Sequence, residues 1–209
     1  MTLNRRSLLS AAGALGLGAG AGAVALWPAL GGAQPLTVDA VLNDPDAPVQ
    51  GNPGGDVTLV EFFDYQCPFC KRMHPMLEDV VTEDGGVRLV MKDWPIFGPP
   101  SLRASQLALG AVALGAYPDV NRALMATEAR LDAGQVDAAV ASVVPVRRAM
   151  DAYRAARGTW DALLDRNDAQ ATALGFRGTP AFAIGTTLYA GALDRATLRA
   201  AISTARAET

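Results

Sequence analysis

The sequence predicts an α/β fold in the order strand–helix–strand, a long helical block, then a β-hairpin and a closing helix. Three observations carry that expectation. The apolar, β-forming run Val57–Phe63 leads directly into Cys67-Pro68-Phe69-Cys70, where a proline suits the first turn of a helix because its missing N–H would be unpaired there anyway. A second apolar run over 87–92 follows Gly85-Gly86. A long Ala- and Leu-rich stretch then ends at Gly178-Thr179-Pro180, which opens a pair of short β-rich runs.

The chain starts with a short positive segment, Met1 to Arg6, and carries no charged side chain from Ser7 to Val38. Residues 8–26 are apolar but interrupted by Gly13, Gly16, Gly18, Gly20 and Gly22, and small residues at Gly31 and Ala33 fit cleavage after Ala33. This reads as an export signal over 1–33, with Arg5-Arg6-Ser7-Leu8-Leu9-Ser10 similar to a twin-arginine signal. An uncleaved membrane anchor over 8–26 is the competing expectation. Either places the rest of the chain outside the cytoplasm, where disulfides persist. Residues 34–55 hold Pro35, Pro45, Pro48, Pro53, Gly51, Gly54 and Gly55, and read as a flexible leader with one short extended piece at 36–41. The domain proper is expected over 56–209.

Within it, Val57–Phe63 is a near-continuous apolar run, as expected of a strand buried on both faces. The helix opened by Pro68 should run to about Thr82 and kink at Pro75. Residues 87–92 form the second strand. Helices are expected over 101–116, 119–130, 135–144 and 146–157, giving a helical insertion over about 100–158. Thr159 can cap a further helix to Leu174, closed by Gly175. Strands at 181–184 and 188–190 flank a turn at Gly185-Thr186-Thr187, and Asp194 can cap a last helix to about Arg206.

The formal net charge is −3; loss of Arg5 and Arg6 would leave 16 basic against 21 acidic residues, a net of −5. Beyond Arg5-Arg6 and Arg147-Arg148 there is no basic cluster, so nucleic acid is not an expected partner. Two cysteines are too few for a disulfide scaffold and enough for one reactive pair. Cys67, at a helix start, would face unpaired backbone N–H groups and the positive end of the dipole, which favours its thiolate. Cys70, one turn in, would be the buried resolving thiol. Glu61 is an ionisable group inside an apolar strand, where burial raises a carboxyl's pKa and makes it a usable proton acceptor. His74, the only histidine, lies four residues after Cys70; it reads as a surface helix residue, or as a third ligand beside Cys67 and Cys70 in a metal-binding protein. Trp94, Pro95 and Phe97 form an apolar loop that could rim a groove or pack as a hinge against the helices.

The element order, with Cys67-Pro68-Phe69-Cys70 after the first strand and Thr179-Pro180 before the hairpin, resembles the DsbA-like thiol-disulfide oxidoreductases, a thioredoxin fold carrying a helical insertion. The stretch from Phe176 to Phe182 and Gly191-Ala192-Leu193 add to the likeness, which covers about Val57 to Ile202. The resemblance implies a redox-active Cys67–Cys70 disulfide, a cis peptide at Thr179-Pro180 lying against it, a proton-exchanging acid at Glu61, and neither metal nor bound cofactor. It implies exported client proteins with free thiols, and a membrane or soluble partner that recycles the enzyme. The short leader argues for a monomer. Pro68 and Phe69 fill the spacer where the best-known motif of that family has Pro-His, so no side-chain donor is expected beside Cys67. A reductase or isomerase on the same scaffold, the metal-binding protein above, and a non-catalytic binding module are the rival readings.

Overall fold

The structure, a computed structural model, describes residues 37–128 and 130–208; the export-signal and anchor readings lie outside the described residues. A five-stranded sheet has the order β1-β3-β2-β4-β5, formed by β1 (Val49–Gly51), β2 (Val57–Phe63), β3 (Val87–Asp93), β4 (Ala181–Ile184) and β5 (Thr187–Ala190). Strand β2 lies at its centre and is buried at every position but Thr58. It runs parallel to β3, with Glu61 opposite Met91 and Phe63 opposite Asp93, and antiparallel to β4, with Glu61 opposite Phe182. Paired residues share a face and neighbours alternate. Glu61, Phe63, Met91 and Asp93 therefore occupy one face, and Phe62 and Lys92 the other. On that second face the Phe62 ring meets Phe176 and Trp94, with centroids 5.5 and 6.4 Å away.

Helix α2 (Pro68–Asp84) leaves the end of β2 and returns the chain to β3. It ends at Gly85, whose φ of 67° is the left-handed conformation that favours glycine. Pro75 lies inside it. Four helices follow β3: α3 (Pro99–Val112), α4 (Tyr117–Met125), α5 (Ala133–Ala141) and α6 (Val146–Ala155). Helices α3 and α6 touch backbone to backbone at Gly110, where an added Cβ would stand 2.0 Å from the Ala149 carbonyl oxygen. Then come α7 (Arg157–Ala173) and α8 (Arg195–Ala207), the latter capped by Asp194, whose carboxylate accepts from the Thr197 N–H at 2.7 Å. Helix α7 begins two residues before Thr159 and has no side-chain cap, because its chain continues from α6 with one intervening residue, Ala156.

The leader departs most from expectation. Residues 38–42 form a helix, α1 (Val38–Leu42), capped by Thr37, whose Oγ1 accepts from Ala40 N at 3.0 Å. Strand β1 then pairs antiparallel with β3. The prolines and glycines suggested mobility, but a buried ion pair fastens this stretch: Lys92 Nζ donates to Asp44 Oδ2 at 2.8 Å, with Lys92 fully buried and Asp44 4% exposed. Arg166 of α7 donates to Asp44 at 2.9 Å and to Asp46 at 2.7 Å. The guanidinium and ammonium groups hold the Asp44 carboxyl below its usual range against the opposing effect of burial. A buried charge that loses its partner is left uncompensated, at about 3–5 kcal/mol. Asp44→Ala should therefore lower stability by about that amount in denaturant titrations, and Asp44→Leu with Lys92→Met should recover most of it. Equal loss in the single and double variants would show that the pair contributes nothing to leader docking.

Candidate active site

Cys67 is the N-cap of α2. Its φ and ψ of −71° and 115° are extended, and its Sγ accepts from the Cys70 N–H at 3.3 Å. Pro68 follows at the first helical position, so the sequence builds a cap whose acceptor is a sulfur. Across the sheet, the Thr179-Pro180 peptide is cis and delivers the Thr179 carbonyl to Cys67, whose thiol donates to it at 3.1 Å. Strand pairing explains the meeting: β4 begins beside the end of β2, from which Cys67 emerges.

Both cysteines are thiols here, and they are electrostatically unequal. A hydrogen bond from the Cys70 thiol is the largest influence on Cys67. With smaller help from the backbone N–H groups of Cys70 and Phe69, it outweighs burial and brings the Cys67 pKa down to about 6. Burial pushes Cys70 far above the usual thiol range, as do its bond to Cys67 and the nearness of Glu61. At neutral pH the pair carries one negative charge, on Cys67, and one proton, on Cys70.

Glu61 is fully buried on the face that carries the cysteines, and neither carboxyl oxygen has a hydrogen-bond partner. Burial, then the charges of Cys67 and Asp93, raise it to about 8. An acid that gains and loses its proton near neutrality, next to a thiol that must do the same, can act in both directions.

Over Cys67 opens a cavity of about 540 Å³ lined by Phe69, Phe97, Arg130, Gly178 and Thr179, among others. Phe69 is 54% exposed, and the Arg72 guanidinium lies 4.5 Å from its ring centroid. The 94–97 loop serves both expected purposes. Trp94 is buried and donates to Asp168 at 2.8 Å, while Phe97 is 47% exposed and reaches the cavity. Residues that sequence reasoning passed over hold this loop in place. Asp64 accepts from Ser101 at 2.6 Å and from Phe97 N at 3.0 Å, and Gln66 donates to Ser101 and to the Phe97 carbonyl. Their only sequence signal is polarity just before the cysteine pair.

His74 is not a surface residue. It is 3% exposed, its Nε2 stands 3.7 Å from Glu78 Oε1, and neither ring nitrogen has a hydrogen bond. Helix α2 is covered on its far side by α4, to which Arg122 ties it through Glu78, so a position facing away from the sheet is still interior. Burial lowers the His74 pKa, which keeps the ring neutral. Among the described residues no group of three His, Cys, Asp or Glu side chains is placed to hold a metal ion.

The family model described as Thioredoxin matches residues 43–204. A thioredoxin-like oxidoreductase from Silicibacter pomeroyi is 37% identical, with a TM-score of 0.78 over 82% of this chain and 98% of its own. The thiol-disulfide exchange protein alpha-DsbA2 from Wolbachia pipientis is 25% identical (TM-score 0.74; 79% and 90% covered). A periplasmic thioredoxin-like protein from Salmonella enterica serovar Typhimurium is 31% identical (TM-score 0.66; 81% and 95% covered). An 87-residue stretch is 33% identical to Na(+)/H(+) antiporter NhaA 1 of Mycobacterium sp. (strain KMS); it covers 40% of this chain but spans 14% of the antiporter's length. The chain belongs to the thioredoxin family, and its fold is similar to that of alpha-DsbA2. It is a protein thiol-disulfide oxidoreductase.

Two outcomes follow from the unequal acids. Mild alkylation of the reduced protein should modify Cys67 with a rate that inflects at about pH 6 and leave Cys70 untouched until the protein unfolds; faster labelling of Cys70 would reverse the assignment. Stability of the reduced form should also depend on Glu61. Its folded pKa is raised from 4.5 towards about 8, so its contribution is complete below pH 4.5 and lost as pH rises towards 8. Glu61→Gln should flatten the fall in denaturation midpoint across that window; an unchanged slope would place its ionisation elsewhere.

Proposed function

We propose that the protein is an extracytoplasmic oxidase of protein thiols. The observation that carries this reading is the Cys67 sulfur at the N-cap of α2, held as a thiolate by Cys70 and the backbone. A low-pKa thiolate is a good leaving group, and stabilising it favours the reduced form, which makes the disulfide the stronger oxidant. A client thiolate attacks Cys67 Sγ of the disulfide, the S–S bond opens toward Cys70, and Cys70 takes a proton from Glu61. A second client thiol then attacks the client sulfur of the mixed disulfide, and Cys67 leaves as a thiolate. The client has lost two electrons and the enzyme has gained them. A membrane or soluble redox partner removes them again.

The apolar mouth at Phe69 and Phe97, with the Thr179 carbonyl beside the reacting sulfur, suits an extended client segment. The location rests on the 1–33 export-signal reading, and one of the similar solved structures is a periplasmic protein. Among the described residues no helix is long and apolar enough to cross a membrane. The protein acts as a monomer and needs no bound cofactor.

A redox titration of the Cys67–Cys70 couple tests the direction. Reference couples run from about −120 mV for the strongest oxidant of this kind to about −270 mV for thioredoxin. The expected value lies between these, nearer the oxidising end, because Phe69 adds no donor to the Cys67 thiolate. Phe69→His should raise the potential and lower the Cys67 pKa together. A wild-type value at or below that of thioredoxin would make the protein a reductase.

A further inference from the structure

Asp93 is a charged residue to which the reaction above gives no task. It ends β3 with its side chain fully buried, two residues beyond the partner of Glu61, on the same face of the sheet. Its Oδ2 accepts from the Tyr117 hydroxyl at 3.1 Å. Lys92, the adjacent residue, turns to the other face and is bound to Asp44. The titratable groups around the two carboxyls are Cys67 and Cys70 from the start of α2, Tyr117 from α4, and Tyr65 and Asp64 from the segment after β2. Burial holds both tyrosines above their usual range, so they remain neutral donors. Asp64 is occupied by Ser101, Gln66 N and Phe97 N. The charges facing the pair are thus acidic, and two neighbouring carboxyls in such a place do not ionise together.

Hydrogen bonding decides which ionises first. Asp93 has hydroxyl donors in Tyr117 and Ser105, whereas Glu61 has none. In keeping with this, Asp93 is raised to about 7 and Glu61 to about 8. We propose that Asp93 is a positioning residue for the thiol exchange: at neutral pH it and Glu61 hold one proton between them, the Asp93 charge keeps that proton on Glu61, and Glu61 delivers it to the Cys70 sulfur. The inference deepens the oxidase reading and rests on it. The first client thiolate forms a bond to Cys67 Sγ, the Cys67–Cys70 bond breaks, and Cys70 leaves with the electron pair and takes the Glu61 proton. The second client thiol gives its proton back to Glu61 as it displaces the Cys67 thiolate.

The test is the pH profile of single-turnover oxidation of one dithiol peptide by the disulfide form, from about pH 5 to about 9, with each variant's rate divided by wild type so that the peptide's own ionisation cancels. Asp93→Asn should shift the loss of the acid step to lower pH by about one unit, the coupling expected of such a pair. Near pH 5 its ratio should be close to one. The same substitution in a Glu61→Gln background should shift nothing, which a merely structural role for Asp93 would not produce. A profile superimposable on wild type, or the same shift without Glu61, overturns the proposal. If Asp93→Asn does not fold, the infrared carboxylic C=O band of the wild-type disulfide form decides. In wild type a protonated buried carboxyl should persist to about pH 8, and in Glu61→Gln the remaining band should be lost about one unit lower, with Asp93; its absence in wild type, or a band in that variant that titrates as in wild type, has the same overturning effect. Slowing by Glu61→Gln with no effect of Asp93→Asn removes only this inference, while a wild type that does not oxidise the peptide removes the reading beneath it.

Discussion

The active end of the molecule depends on one hydrogen-bonding arrangement: a sulfur serving as the cap of a helix. Most helices begin at an oxygen that accepts from the first turn. Here the acceptor is Cys67 Sγ, so the free N–H groups of α2 are satisfied best when that sulfur is charged. Local secondary structure and redox chemistry thereby become the same interaction. Cys70, one turn inside, donates its thiol proton to the charge it helps to create. What remains of the site, including the cis peptide, the buried acid and the cavity, is arranged around a charge already placed by the start of a helix.

The central sheet makes that placement possible by sorting side chains between its faces. Strand β3 shows this over two adjacent residues. Lys92 turns toward the leader and closes an ion pair with Asp44, while Asp93 turns toward the cysteines and finds hydroxyls instead of cations. Had the strand slipped by one residue, the ammonium would stand beside the thiols and stabilise every anion there. Its exclusion from that side keeps the carboxyls hungry for protons.

Much of this was readable in the sequence wherever local pattern and local chemistry agreed. The apolar run of β2 predicted a doubly buried strand, and Pro68 after Cys67 predicted the helix that begins there. Thr179-Pro180 predicted the turn that meets the cysteine, because the family resemblance supplied a contact between residues far apart in the chain. Failures came where a distant partner overrode composition. The prolines and glycines of the leader looked mobile because Lys92 and Arg166, which hold Asp44, lie far along the chain. His74 looked superficial because nothing in α2 alone reveals that α4 covers it. Asp93 lies one residue past the expected strand and has no signal in the sequence, since its burial is set by Tyr65 and Tyr117 arriving from other elements. Asp64 and Gln66 were overlooked for the same reason.

The Cys67 residue presents only 1% of its surface, at the floor of the cavity between Phe69 and Phe97. Helices α3 and α6, in backbone contact at Gly110, leave that part of the insertion little room to rearrange. A sulfur so enclosed can be reached only by a thiol carried on a thin, pliant length of chain. A cysteine already folded into a client's core or sheet presents too broad a surface to enter. On the proposed oxidase reading, such a site favours clients that are still unfolded over the same cysteines once folding has put them away.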